Sequence, residues 1–174
     1  QDLRIGDLDA GAPELRPDSR YNRDNAYITE HYGLSSDQFV VIMKTSDEGC
    51  RLYSNLQKMD GLAQLLRQDA AVQTTTSLAE TVRFVTSAMF EGSGKWLTIS
   101  RNQSITDGSV SAAVIATPDI TNQSCSVSPL VAYLKDHKAD TVGRILQTAE
   151  AYAAANNTAP DAKEPVQFLL AAGS

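Results

Sequence analysis

Runs of apolar residues along the chain predict four β-strands. Residues 39–43, which read FVVIM, form a continuous apolar and largely β-branched run, as is typical of a buried strand. The run LVAYL at residues 130–134 and the run VQFLL at residues 166–170 indicate two more. The threonine-rich VQTTT at residues 72–76 also has strand propensity. We therefore expect strands near residues 39–44, 71–76, 129–135 and 166–171.

Apolar positions at spacings of three and four residues predict two long helices, near residues 51–69 and 139–156. The predicted inner face of the first helix is formed by Leu52, Leu56, Met59, Ala63 and Leu66. The predicted inner face of the second helix is formed by Val142, Ile145, Leu146, Ala149 and Tyr152. Asp140 is the predicted N-cap of this second helix. A shorter helix near residues 78–90 is expected after Ser77, because Ser77 and Glu80 have the spacing of a capping box.

The other segments are predicted to be largely irregular. Residues 1–38 carry mixed charges, prolines and glycines, which indicate a lead-in with a possible short helix from Tyr21 to Tyr32. The glycine-rich residues 91–94 should stop the helix before them, and residues 96–99 are predicted to be extended. Residues 110–128 contain many Ser, Thr and Asn residues and are predicted to be mostly loop.

The order of these elements predicts an α+β fold of the split βαβ, or ferredoxin-like, plan. Two strand-helix-strand units, separated by a long helical and irregular insertion at about residues 77–128, can interleave in one antiparallel sheet. Both long helices are then expected on the same face of the sheet. The chain is thus divided into a lead-in at residues 1–38 and a domain at residues 39–174.

Composition narrows the classes of function. The 174 residues carry 15 Lys and Arg against 21 Asp and Glu, so the formal net charge is -6. A broad phosphate-binding surface is not expected, and nucleic acid is not a predicted partner. The sequence has no apolar run of the roughly 18 to 20 residues that a membrane-spanning helix needs, and its first residues do not resemble a secretory signal.

The sequence contains no recognisable catalytic or metal-binding motif, and we expect neither an enzyme nor a cofactor. His31 and His137 belong to no HxH or HExxH pattern, so both are expected to be solvated surface residues. The stretch GSGK at residues 92–95 lacks the spacing of a phosphate-binding loop. Asp7 and Asp9 lack the partners of a calcium loop, so no metal site is predicted.

Two features leave alternatives open. Large apolar side chains surround a glycine-rich bend in the insertion, where they could line a cleft for a hydrophobic ligand or pack into the core. The candidate ligand-binding residues are Phe84, Met89, Phe90, Trp96 and Leu97. The only two cysteines, Cys50 and Cys125, are either two buried thiols or one long-range disulfide.

The opening of the chain resembles a known family. Residues 5–22 read IGDLDAGAPELRPDSRYN, which is similar to the segment after the first membrane helix of bacterial resistance-nodulation-division (RND) exporters associated with hopanoid and other lipid traffic. The resemblance continues along nearly the whole chain. It includes SSDQFVV at residues 35–41, TTTSLA at 74–79, KW at 95–96, RNQ at 101–103, DHKADT at 136–141 and LAAGS at 170–174.

The resemblance implies a segment of a longer protein, namely the first of two large periplasmic loops of an inner-membrane transporter. Such loops form porter subdomains of the split βαβ plan, and transport is driven by protons moving through acidic residues in membrane helices. Implied partners are a lipid or other hydrophobic molecule, the second periplasmic loop and a periplasmic adaptor protein. The implied function is transport of a hopanoid or sterol-like lipid. The alternative functions are export of a drug or siderophore, and a docking module that binds a periplasmic partner but no substrate. The periplasmic location favours a disulfide between Cys50 and Cys125.

Overall fold

Four antiparallel strands form one sheet in the computed structural model, which describes residues 38–171. The strands are β1 (Gln38–Thr45), β2 (Val72–Thr76), β3 (Val127–Leu134) and β4 (Val166–Ala171). All four strand predictions are therefore confirmed, with shifts of one or two residues at the ends. The lead-in predicted for residues 1–38, with its short helix from Tyr21 to Tyr32, lies outside the described residues except for Gln38, which begins β1.

The strand order in the sheet is β2-β3-β1-β4, so the two most apolar strands lie at its centre. Val41 pairs with Leu130 of β3 on one side and with Leu170 of β4 on the other. Residues 39–43 are all buried, because alternate side chains of β1 enter two separate apolar clusters on the two faces of the sheet. This explains why β1 is apolar without interruption.

The described residues contain four α-helices, of which the two long ones were predicted on one face of the sheet. The helices are α1 (Tyr53–Arg67), α2 (Leu78–Met89), α3 (Gln103–Ala116) and α4 (Ala139–Asn156). Leu56 and Met59 of α1 and Ile145 of α4 are fully or almost fully buried in the same core cluster as Val41 and Met43 of β1. The two helices therefore pack on the same face, as predicted.

The start of α2 follows the predicted capping pattern in part. The Ser77 hydroxyl accepts a hydrogen bond from the backbone N–H of Glu80 at 3.3 Å. The Glu80 carboxylate does not complete the reciprocal half of the capping box. It binds Arg67 of α1 and Thr75 of β2 instead, so the beginning of α2 is tied to two other elements.

The prediction of loop for residues 110–128 was wrong for its first part, because α3 continues to Ala116. Asn102 caps this helix by accepting hydrogen bonds from the backbone N–H groups of Ser104 and Ile105. Its buried face is partly polar, and the Ser109 hydroxyl forms a hydrogen bond of 2.8 Å with Thr86 of α2. A helix that buries hydrogen-bonded hydroxyl groups shows little apolar periodicity in its sequence.

Two local predictions also fail. Residues 96–99 are not a strand, since Gly94–Trp96 forms a 3-10 turn and the following residues join no sheet. The N-cap of α4 is Lys138, and Asp140 lies inside the first turn of the helix. The carboxylate of Asp136 accepts a hydrogen bond of 2.9 Å from the backbone N–H of Lys138, so an acidic residue organises this turn four positions earlier than expected.

Cys50 and Cys125 form a disulfide, with their Cα atoms 5.2 Å apart. This is the pairing that the family resemblance favours. The bond lies where the central strand pair ends, and the backbone N–H of Cys50 also donates to the carbonyl of Cys125 at 2.9 Å. The disulfide therefore joins the loop after β1 to the loop before β3, and both cysteines are buried.

Within residues 38–171, none of the four helices combines the length and the apolar composition needed to cross a bilayer.

Candidate ligand-binding surface

Of the five candidate ligand-binding residues, Phe84 and Met89 lie in α2, Phe90 is the C-cap of this helix, and Trp96 and Leu97 lie in the turn that follows it. None of them belongs to the hydrophobic core of the described residues. Phe84 is 71% exposed, Met89 53% and Leu97 43%, whereas Phe90 and Trp96 are partly buried. The structure therefore supports a surface location for these side chains, and the alternative of core packing does not describe them.

Phe90 and Trp96 form a stacked aromatic pair. Their ring centroids are 3.9 Å apart and their planes differ by 15°. The chain reverses between them at Glu91 and Gly92, which both have positive φ angles, of 61° and 74°. Glycine adopts such angles without steric cost, so Gly92 allows the tight reversal that brings the two rings together.

Residues on one side of α2 bind residues 93–97, the segment that follows the reversal at Gly92. Arg83, Ser87 and Phe90 follow each other at spacings of four and three residues and therefore share a helical face. The Ser87 hydroxyl donates a hydrogen bond of 3.0 Å to the carbonyl of Ser93. The guanidinium of Arg83 donates from Nε and Nη2 to the carbonyl of Leu97, at 3.4 Å each. The backbone N–H of Ser93 also donates to the carbonyl of Phe90 at 3.3 Å, so residues 93–97 are attached to this side of α2 at four places, counting the stacked rings.

Arg83 also connects this surface to the core helix α1. Its Nη1 atom lies 3.3 Å from Oδ1 and 3.5 Å from Oδ2 of Asp60. The side chain of Asp60 is 13% exposed and that of Arg83 is 26% exposed, so the pair is partly shielded from water. Sequence reasoning missed both residues. The available signal was the seven-residue spacing from Arg83 to Phe90, which places the arginine on the aromatic side of α2.

The other two candidate residues on α2 face elsewhere. The sulfur of Met89 accepts a hydrogen bond of 3.6 Å from the Ser109 hydroxyl, so this side chain leans toward α3. At about 100° per residue, Phe84 lies roughly 120° around the helix axis from Phe90. The structure thus brings Phe90 and Trp96 together, attaches Leu97 beside them, and leaves Phe84 on a separate surface.

The surroundings of the aromatic pair are close to electrically balanced. Glu91 and Lys95 are both exposed in the same turn, and Arg83 is neutralised by Asp60. Among the residues that the structure describes, no group of three or more His, Cys, Asp or Glu side chains is placed to hold a metal ion. The surface offers apolar contact area with weak net charge, which suits the binding of uncharged apolar groups.

Comparisons of the chain with known protein families, with curated proteins and with solved structures find no match.

Proposed function

We propose that this chain is the first periplasmic loop of an RND-type inner-membrane transporter, and that it acts as a porter domain for a hydrophobic or amphipathic lipid of the hopanoid or sterol type. The proposal is supported by the similarity of residues 5–22 and of the shorter segments after them to that family. In this role the domain binds and releases its ligand, and it catalyses no reaction.

The proposal includes the split βαβ plan expected for porter domains. The order β2-β3-β1-β4, with antiparallel neighbours throughout, supports it. One long helix, α1, connects β1 to β2, and another, α4, connects β3 to β4. A sheet in which two strand-helix-strand units interleave has this arrangement. The helices α2 and α3 then form the insertion that carries the candidate surface.

The observation that carries the binding role is the stacked, half-buried Phe90–Trp96 pair with the exposed side chain of Leu97 beside it. Large apolar side chains grouped at a surface mark interaction sites more often than singly scattered ones do. Each Å² of apolar surface that a lipid buries there would contribute about 25 cal/mol to binding. A rigid aromatic pair also loses little side-chain freedom when a flat ring system packs against it.

A docking module for a periplasmic partner is the second candidate, and Phe84 favours it. The ring of Phe84 is the most exposed of the five side chains, and its position about 120° around the helix axis separates it from the aromatic pair. A partner protein could cover Phe84 and the aromatic pair together, whereas one small lipid would reach only one of the two surfaces.

Equilibrium binding of a labelled sterol, a labelled hopanoid and a labelled phospholipid to the 174-residue chain tests the proposal. The variants are Trp96→Ala and Phe90→Ala, with Phe84→Ala as the matched control. We expect weaker lipid binding in the first two variants and wild-type binding in the control. Absence of binding by the wild-type chain to all three lipids would favour the docking module. Wild-type binding in Trp96→Ala and Phe90→Ala would place the lipid site away from the aromatic pair.

A further inference from the structure

We infer that Arg83 is the positioning residue of this surface, and that it holds Trp96 against Phe90 by binding the backbone next to Trp96. The inference rests on the proposed ligand-binding role. It extends that role by assigning a function to a charged side chain that does not itself present apolar surface.

The contacts of Arg83 make one guanidinium group a bridge between two elements. Nη1 faces the carboxylate of Asp60 on α1, while Nε and Nη2 face the carbonyl of Leu97. Asp60 is itself fixed, because its Oδ2 accepts a hydrogen bond of 2.9 Å from Gln64 one turn later in α1. The segment after Trp96 is therefore anchored to a helix of the core.

Inside the turn, the backbone N–H of Trp96 donates to the carbonyl of Ser93 and that of Leu97 donates to the carbonyl of Gly94, but neither bond ties Trp96 to α2. Gly92 and Gly94 flank the turn, and added Cβ atoms at these two positions would meet no atom within 4 Å, so the turn is open on those sides. The hydrogen bond between Ser87 and Ser93 fixes the beginning of the segment. The contact between Arg83 and Leu97 fixes its end, directly after Trp96. Loss of that contact should allow the indole ring to leave the stack.

The planar fork of arginine is what this role requires. A guanidinium group has five N–H donors in a rigid arrangement and can face a carboxylate and a carbonyl at once. A lysine ammonium at this position could pair with Asp60, but as a compact charge on a flexible stem it cannot hold both partners in fixed geometry. The variant Arg83→Lys should therefore keep the ion pair with Asp60 and lose the contact with the carbonyl of Leu97.

Trp96 is the only tryptophan of the chain, so its fluorescence reports on the stack directly. The first measurement is acrylamide quenching of Trp96, without lipid, in the wild type, Arg83→Lys and Arg83→Gln. Arg144→Lys is the matched control, because Arg144 of α4 forms a different arginine–aspartate pair, with Asp69. We expect stronger quenching in both Arg83 variants, wild-type quenching in the control, and a wild-type melting temperature for Arg83→Lys. Unchanged quenching in both Arg83 variants would overturn the inference.

The second measurement is lipid affinity in the same variants. An aromatic contact of this kind corresponds to an affinity change of about two- to tenfold, and we expect Arg83→Lys to weaken binding by that factor. Wild-type affinity in a variant with a loosened Trp96 would overturn the positioning role. If the wild-type chain binds no lipid, the proposed function fails, and the quenching result still decides whether Arg83 holds the stack. If Arg83→Gln does not fold, Arg83→Lys alone decides.

Discussion

The hydroxyl oxygen of Tyr152 lies 2.7 Å from the position that a Cβ atom on Gly61 would occupy. The same hydroxyl donates a hydrogen bond of 2.6 Å to the carbonyl of Lys58, and the tyrosine ring packs edge-on against Phe168 at 5.8 Å. Both the hydroxyl group and the ring of Tyr152 are therefore held in place. Gly61 allows α4 to approach α1 this closely, although glycine weakens a helix interior by about 1 kcal/mol relative to alanine.

This relationship predicts the outcome of a double-mutant cycle. Gly61→Ala should destabilise the wild type by about 1 to 2 kcal/mol, because the added methyl group displaces the Tyr152 hydroxyl. In a Tyr152→Phe background the obstructing oxygen is absent, and the same change should be neutral or stabilising by up to about 1 kcal/mol. Urea unfolding of the four proteins measures the coupling. Additive effects of the two substitutions would contradict a direct contact.

The disulfide should contribute a large part of the stability. It links residues 75 positions apart, so in the chain-entropy model its removal costs about 4 to 5 kcal/mol. We expect the double variant Cys50→Ala/Cys125→Ala to unfold at a much lower urea concentration than the oxidised wild type. Because both sulfurs are buried, a reductant should break the bond slowly unless denaturant is present. Equal midpoints for the oxidised wild type and the double variant would show that the bond is dispensable.

The ion pair between Asp69 and Arg144 should make stability depend on pH in the acid range. Two hydrogen bonds from Arg144, and one from the backbone of Ala71, lower the pKa of Asp69 from 3.8 to about 2. Since this pKa is lower in the folded chain than in the unfolded one, the stabilisation is complete above about pH 4 and is lost as the pH falls through about 2.

Arg144→Gln tests this effect, and the expected loss at neutral pH is at most about 1 kcal/mol because the arginine is largely exposed. The Asp69 pKa, followed by carboxyl NMR, should rise in the variant and remain somewhat low, since the contact from Ala71 persists. An unchanged Asp69 pKa would show that the ion pair does not form in solution.

Asn102 should be important for α3, the helix that the sequence pattern did not predict. Its side chain accepts from two backbone N–H groups, at 3.0 Å and 3.4 Å. Asn102→Ala should cost about 1 kcal/mol, whereas Asn102→Asp keeps an acceptor and should cost less. The free energy of unfolding of both variants measures the difference. Equal losses would mean that the side chain does not cap the helix.

Buried and exposed positions of α2 should respond differently to truncation. Leu78 is fully buried and Phe84 is 71% exposed. Leu78→Ala should therefore cost about 2 to 5 kcal/mol, whereas Phe84→Ala should change the free energy of unfolding by no more than about 0.5 kcal/mol. Thermal unfolding of both variants makes the comparison. A large loss from Phe84→Ala would show that this ring is covered by other parts of the chain.

The pattern of apolar and β-branched residues was sufficient to predict the four strands and the two long helices. Five consecutive apolar residues at 39–43 can be satisfied only where both faces of a strand are buried, and the heptad-like spacing of Leu56, Met59 and Leu66 fits one buried helix face. These signals are strong because burial of apolar area is the main favourable contribution to folding, and the pattern records it directly.

Polar partners from separate segments were established only by the tertiary structure. Helix α3 buries Thr106 and Ser109, whose hydroxyl groups are satisfied by Ser100 and Thr86, and no pattern in the sequence identifies such pairs in advance. The same holds for the ligand-binding surface. The sequence identified five apolar side chains, but the reversal at Gly92 and the bridge from Arg83 to Leu97 determine that Phe90 stacks on Trp96 while Phe84 faces another direction. Such contacts depend on distances between atoms of separate segments, which only the folded chain fixes.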